Sequence, residues 1–151
     1  CMYKGPIDYQ TIAKVKNNTS IPIIANGDIT TPEEAFNVLQ ITRADAVMIG
    51  RAAQGQPWLL ARINCYLKNG IDPGDPPLSE KLDIIFNHLE NLYVFYGNHQ
   101  GILIARKHIK WYFERLGIVN SIRQRFNSMA TPNDQIMMIR DIFNLSGYKN
   151  V

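Results

Sequence analysis

Two short stretches of this chain end in residues suited to holding an anion. Asn26-Gly27-Asp28 closes the apolar run Ile23-Ile24-Ala25, and Gly50-Arg51 closes Ala44-Asp45-Ala46-Val47-Met48-Ile49. A phosphate group needs several backbone N–H donors aimed at one point, and glycine lets the backbone approach where a Cβ would stand in the way. Arg51 adds a fixed charge on a planar fork of donors that matches phosphate. The Asp28 carboxylate repels a phosphate, so its backbone N–H is the useful group, and its side chain is available to cap the helix that follows. A single glycine after a strand is most often a turn. Two such ends one βα unit apart, one of them carrying arginine, favour a phosphate site without naming the compound.

A second chemical feature lies in the other half. Arg106 and Lys110 are helical neighbours at i, i+4, with Lys107 adjacent, and from His99 to Arg125 there are six Lys/Arg against one acid, Glu114. Such a stretch can neutralise phosphates and release counterions, which gives sequence-independent affinity for RNA. Trp111 and Tyr112 could stack on unpaired bases, but their spacing with Ile109 and Leu116 favours packing in a core. His108 by itself reads as a structural hydrogen-bonder. No metal centre is expected: Cys1 and Cys65 are the two cysteines, and neither has a His or Cys partner at ligand spacing.

The elements that position these residues follow from periodicity and punctuation. Residues 8–18 read as a helix with Ile12 and Val15 on one face. Residues 23–25 are too short for a helix and are bounded by turn residues, as a buried parallel strand should be. Thr31-Pro32-Glu33-Glu34 is a helix start, with a capping hydroxyl, proline at the first position and acids at the positive dipole end. Residues 44–49 form a second buried strand, and residues 52–67 are expected to be mostly helical, with Pro57 near an early turn. Helix, strand, helix, strand, helix describes parallel βαβ units.

Two strands cannot close a barrel or cover their own faces, so further strands are expected before Cys1. On that reading, residues 1–68 are the C-terminal portion of a (β/α)8 barrel, its last two strands. An open strand edge would also invite a second copy, giving a homo-oligomer.

Residues 69–77, with two glycines and three prolines, form a linker. Strand signals then stop. Residues 78–151 read as an all-α bundle: 79–96 with Leu82, Ile85, Phe86, Leu89, Leu92 and Tyr93 on one face, then 102–116, 119–129, and a helix from Thr131 with Ile136, Ile139, Ile142 and Phe143 inward.

Composition agrees with a globular chain of 151 residues, 46% hydrophobic and 19% charged. Residues 1–77 carry seven basic and seven acidic side chains, and residues 78–151 carry nine and six, so the whole excess of +3 sits in the second half. No apolar run approaches the length of a membrane span, no signal pattern opens the chain, and position 1 is not Met. The expectation is a fragment or processed chain of a cytoplasmic protein.

The residues Ile21-Pro22-Ile23-Ile24-Ala25-Asn26-Gly27-Asp28-Ile29 and Ala44 to Trp58, containing Gly50-Arg51-Ala52-Ala53-Gln54-Gly55, resemble the tRNA-dihydrouridine synthases, the bacterial B-type members in particular. Phe95-Tyr96-Gly97 and Ala105-Arg106-Lys107-His108-Ile109-Lys110-Trp111-Tyr112 resemble the helical domain of that family.

The resemblance implies an FMN-binding barrel and a helical domain that helps to hold tRNA. It also implies reduction of the C5=C6 bond of particular uridines, with NADPH as electron donor. Carried over by motif, Asn26, Gly27, Asp28, Gly50 and Arg51 would contact FMN, mostly at its phosphate, and Arg106, Lys107 and Lys110 would contact tRNA. The family's catalytic cysteine belongs to a motif absent here. Cys1 is not expected to replace it, Cys65 reads as inert core, and the chain alone is expected to lack turnover. The strand ends equally suit an FMN barrel enzyme of a small molecule, of the dihydroorotate dehydrogenase kind, and the fragment alone could serve as a non-catalytic RNA-binding module.

Overall fold

The computed structural model of the chain describes Gly5 and residues 7–145. The expectation for Cys1 lies outside them, as do the outer ends of both expected domains. The chain divides into two compact units, Cys1–Asp75 and Pro76–Val151.

The first unit is ordered α1 (Tyr9–Asn17), β1 (Ile24–Asn26), α2 (Pro32–Thr42), β2 (Ala46–Met48), a 3-10 turn (Arg51–Ala53) and α3 (Leu59–Asn69). Asp8 caps α1 by accepting the Thr11 N–H at 3.0 Å. Thr31 and Glu34 cap α2 as a reciprocal capping box, with Pro32 in the first turn. The strands pair in parallel, Ile24 against Ala46, Ala25 against Val47 and Asn26 against Met48. Asp45 fixes this register: its carboxylate accepts the Ile23 N–H at 2.7 Å and the Lys16 ammonium at 2.6 Å. Ala25, Ile29, Ala35, Val38, Leu59 and Ile63 form the core, with Tyr9, Ile12 and Val47 packed against it.

One expectation for this unit is corrected, that for Cys65. The strands, as expected of two without neighbours to cover them, are not buried on both faces. Ala25 is fully buried, while Ile24 is 63% and Met48 49% exposed. Side chains alternate across a strand, so one face meets the helices and the other is open. Residues 52–67 are mostly helical, with the early break at Gly55, φ of 74°, and Pro57 that leaves a single 3-10 turn ahead of α3. Cys65 is half-buried on the flank of α3 and is not core.

The linker begins at Gly70, the left-handed cap of α3 with φ of 71°. It is tied down as far as Asp75. Arg62 on α3 grips Asp72 with Nε at 3.0 Å and Nη2 at 2.6 Å, and reaches Asp75 with Nη1 at 2.6 Å.

The second unit consists of α4 (Leu78–Arg115), α5 (Asn120–Ser128) and α6 (Pro132–Leu145). Gly97, with φ of 72° and ψ of 168°, breaks α4 into residues 78–96 and 98–115. The two segments fold back on one another, and a Cβ on Gly101 would stand 3.0 Å from the Tyr93 Cα. Ile85, Leu89, Ile109, Phe113, Phe126 and Ile139 fill the core between the helices. Inward positions on α6 are Met138, Ile139 and Phe143, together with a fully buried Gln135, whereas Ile136 and Ile142 are only half-buried.

Candidate functional site

The parallel register brings the two strand ends together. Asn26 and Met48 are partners, and the Asn26 amide donates to the Met48 carbonyl at 2.9 Å, joining the strands at their C-terminal ends. Beyond this latch the chain turns through two successive residues of positive φ, Gly27 at 149° and Asp28 at 34°. Asp28 is held in that unfavourable conformation by its surroundings: its carboxylate forms an ion pair with the Arg51 guanidinium, at the start of the turn after β2. The five expected residues Asn26, Gly27, Asp28, Gly50 and Arg51 therefore gather at one corner of the first unit.

Their roles differ from the expectation in detail. Asp28 does not cap α2, because Thr31 and Glu34 already do so. The Glu34 carboxylate takes the Thr30 N–H at 2.7 Å and the Thr31 N–H at 3.2 Å. These bonds, with that from the Thr30 hydroxyl, hold Glu34 below the usual carboxylate range. Within α2 the Glu34 N–H goes to the Thr31 hydroxyl at 3.1 Å and the Ala35 N–H to the Thr31 carbonyl, and the 3-10 turn after Gly50 has no full helix dipole to offer. What remains at the corner is Arg51, its side chain 59% exposed, and the backbone around Asp28 and Gly50. The space where a Gly50 Cβ would stand is open, whereas a Gly27 Cβ would strike the Ile7 side chain at 2.8 Å. Gly27 is thus required by its backbone angle and by Ile7.

Tyr9 is a residue of this corner that the sequence reading passed over. Its hydroxyl donates to the Gly27 carbonyl at 2.7 Å. Burial, then the nearby Glu34 and Asp28 carboxylates, push its phenol up from the ordinary value, so it stays a donor. The available signal was an aromatic residue on the first turn of α1, three before Ile12 on the buried face.

In the second unit, Arg106, Lys107 and Lys110 share residues 98–115 of α4. Lys110 pairs with Glu114 at 3.6 Å, and the Lys107 ammonium stands 5.3 Å from the centre of the Trp111 ring. Both lysines are exposed, while Arg106 is half-buried, its Nε without a partner among the described residues. Tyr112 is core, its hydroxyl 3.0 Å from His88 Nδ1. His108 packs edge-on to His88, ring centres 4.7 Å apart, and Trp111 packs on His108. Burial pushes both histidines down, and for His108 the neighbouring His88 and Lys107 add to it. Among the described residues, no group of three or more His, Cys, Asp or Glu could hold a metal ion, and no helix is long and apolar enough to cross a membrane.

Comparison with known proteins completes this picture. The dihydrouridine synthase (Dus) family matches residues 1–146. The chain is 44% identical over 143 residues to tRNA-dihydrouridine synthase B of Vibrio cholerae, covering 95% of this chain and 44% of that protein. It is 42% identical over 145 residues to the protein of that name from Pasteurella multocida, covering 96% and 44%, and 42% identical over 142 residues to that of Pseudomonas aeruginosa, covering 94% and 43%. The chain thus spans less than half the length of these relatives. With 146 consecutive residues matched and the strand-end corner and the basic helix both inside the matched span, the chain belongs to the dihydrouridine synthase family.

Proposed function

We propose that the protein containing this chain is an FMN-dependent tRNA-dihydrouridine synthase that reduces the C5=C6 bond of uridines in tRNA, with NADPH as electron donor. In this reading residues 1–68 supply the last two strands of a (β/α)8 barrel, residues 69–77 link, and residues 78–151 face tRNA. The observation that carries it is the corner where Gly27-Asp28 and Gly50-Arg51 meet, at the C-terminal strand ends where barrel enzymes hold phosphates. The open sheet face of Ile24 and Met48 supports the barrel, since further strands would cover it.

The donor set fits the phosphate end of FMN: an exposed guanidinium, a backbone N–H at Asp28 and open space over Gly50. FMN, when bound, supplies hydride chemistry that no side chain offers. The chain's own residues bind and orient it. Arg51 meets phosphate charge, Asp28 holds the Arg51 fork in place, and Asn26 keeps the two strand ends together. Lys107 and Lys110 present positive charge to the tRNA backbone, with Arg106 behind them.

The test is to load the whole protein with FMN and assay dihydrouridine in tRNA. Product dependent on FMN and NADPH is expected, and a folded, flavin-loaded protein that forms none contradicts the reading. An FMN enzyme of a small molecule is the competing reading. Charge reversal at Arg106, Lys107 and Lys110 separates the two, because only a tRNA enzyme loses RNA affinity and salt dependence by it.

A further inference from the structure

The corner is shaped from behind by a residue that touches none of its charge. Tyr9 is the first residue of α1, fixed there by the Asp8 cap and by packing of its ring on the core of the first unit. From that position its hydroxyl donates to the Gly27 carbonyl at 2.7 Å. The peptide joining Gly27 to Asp28 is trans, so its C=O and N–H point in opposite directions. Holding the carbonyl toward Tyr9 turns the Asp28 N–H away from the core. Among the described residues, no acceptor takes that N–H. The orientation has to be imposed, because it carries Asp28 at φ of 34°, a conformation a side chain rarely adopts. Three features impose it: Tyr9 on the carbonyl, Ile7 filling the space where a Gly27 Cβ would stand and Arg51 on the Asp28 carboxylate.

We infer that Tyr9 is a positioning residue for phosphate binding: its hydroxyl fixes the Gly27–Asp28 peptide so that the Asp28 N–H and the Arg51 guanidinium converge on the phosphate of a flavin mononucleotide. This deepens the reading given under Proposed function and rests on it. Tyr9 itself touches neither phosphate nor flavin. Its effect is confined to the phosphate, because the peptide it orients is at the anion corner.

The test compares two flavins on the whole protein, wild type and Tyr9→Phe, by quenching of flavin fluorescence. Riboflavin carries the same ring system as FMN without the phosphate. Phenylalanine keeps the ring in the core and removes only the hydroxyl. Tyr9→Phe is expected to raise the Kd for FMN by about tenfold and to leave that for riboflavin within about twofold, the loss of one aimed donor to a charged group. A parallel loss for both flavins makes Tyr9 a structural residue only and overturns the inference, as does no loss for either. A wild-type protein that binds FMN no better than riboflavin overturns the phosphate corner itself, and the inference with it.

Discussion

Gln135 is a fully buried amide among the apolar side chains of the second unit, and it is satisfied from two directions. The Tyr93 hydroxyl donates to its Oε1 at 2.7 Å, and its Nε2 reaches the Ile102 carbonyl at 3.5 Å. Burial pushes the Tyr93 phenol up to about 12, so it remains a donor across the working pH range. Replacing either partner alone strands a buried polar group. Gln135→Leu is therefore expected to cost roughly 1–3 kcal/mol in denaturant unfolding, and the pair Tyr93→Phe, Gln135→Leu less than the sum of the single changes. Additive single and double losses would show that the bond does not couple the two. The sequence offers no sign of this bond, because Gln135 and Tyr93 are 42 residues apart and a glutamine within an apolar stripe reads as solvent-facing. The same distance effect hid Tyr9 behind Gly27, 18 residues away.

At the scale of elements, the caps and breaks were legible where a residue's own backbone requirement decides. Thr31-Pro32-Glu33-Glu34 reads directly as the start of α2, and it forms the capping box. Thr31→Ala is expected to lower stability by about 1 kcal/mol, measured by chemical denaturation, and an unchanged midpoint would contradict the cap's role. The open strand face was legible as well, because two strands have no neighbours to cover the side that carries Ile24 and Met48. Residues 52–67 were legible as mostly helical, whereas the exact break ahead of α3 depends on the left-handed Gly55, a backbone angle that an apolar pattern does not carry.

The fold-back of α4 at Gly97 creates a pH dependence of its own. His88 and His108 meet across it, both lowered from 6.5 by burial. The groups facing them are the Tyr112 hydroxyl, the Trp111 ring and Lys107. A histidine whose folded value is depressed stabilises the fold above its unfolded value, and that contribution is lost as pH falls through the folded value. Stability should therefore decline as pH drops below about 6.5. His108→Leu should flatten that decline in thermal unfolding, and an unaltered pH profile would contradict the assignment.

At the scale of the whole molecule, charge is unevenly placed. The first 77 residues are balanced and the remainder carries the excess of +3, which supports the proposal, resting chiefly on the family, that residues 78–151 face RNA. The structure distinguishes the expected cations by exposure. Lys107 and Lys110 are exposed, though engaged with Trp111 and Glu114, and Arg106 is half-buried. Lys107→Glu with Lys110→Glu in the whole protein is expected to weaken tRNA binding and to reduce the slope of log affinity against log salt by about two, one for each phosphate contact removed. An unchanged slope would move the RNA contact elsewhere.

The central claim is that the protein containing this chain makes dihydrouridine in tRNA with a flavin held at the strand-end corner. The most direct measurement is the dihydrouridine content, by mass spectrometry, of tRNA from cells of the source organism lacking the gene. The account predicts that dihydrouridine disappears at specific tRNA positions, returns with the wild-type gene, and stays reduced with Arg51→Ala in the same gene. Unaltered dihydrouridine at every position in the deletion strain would contradict it.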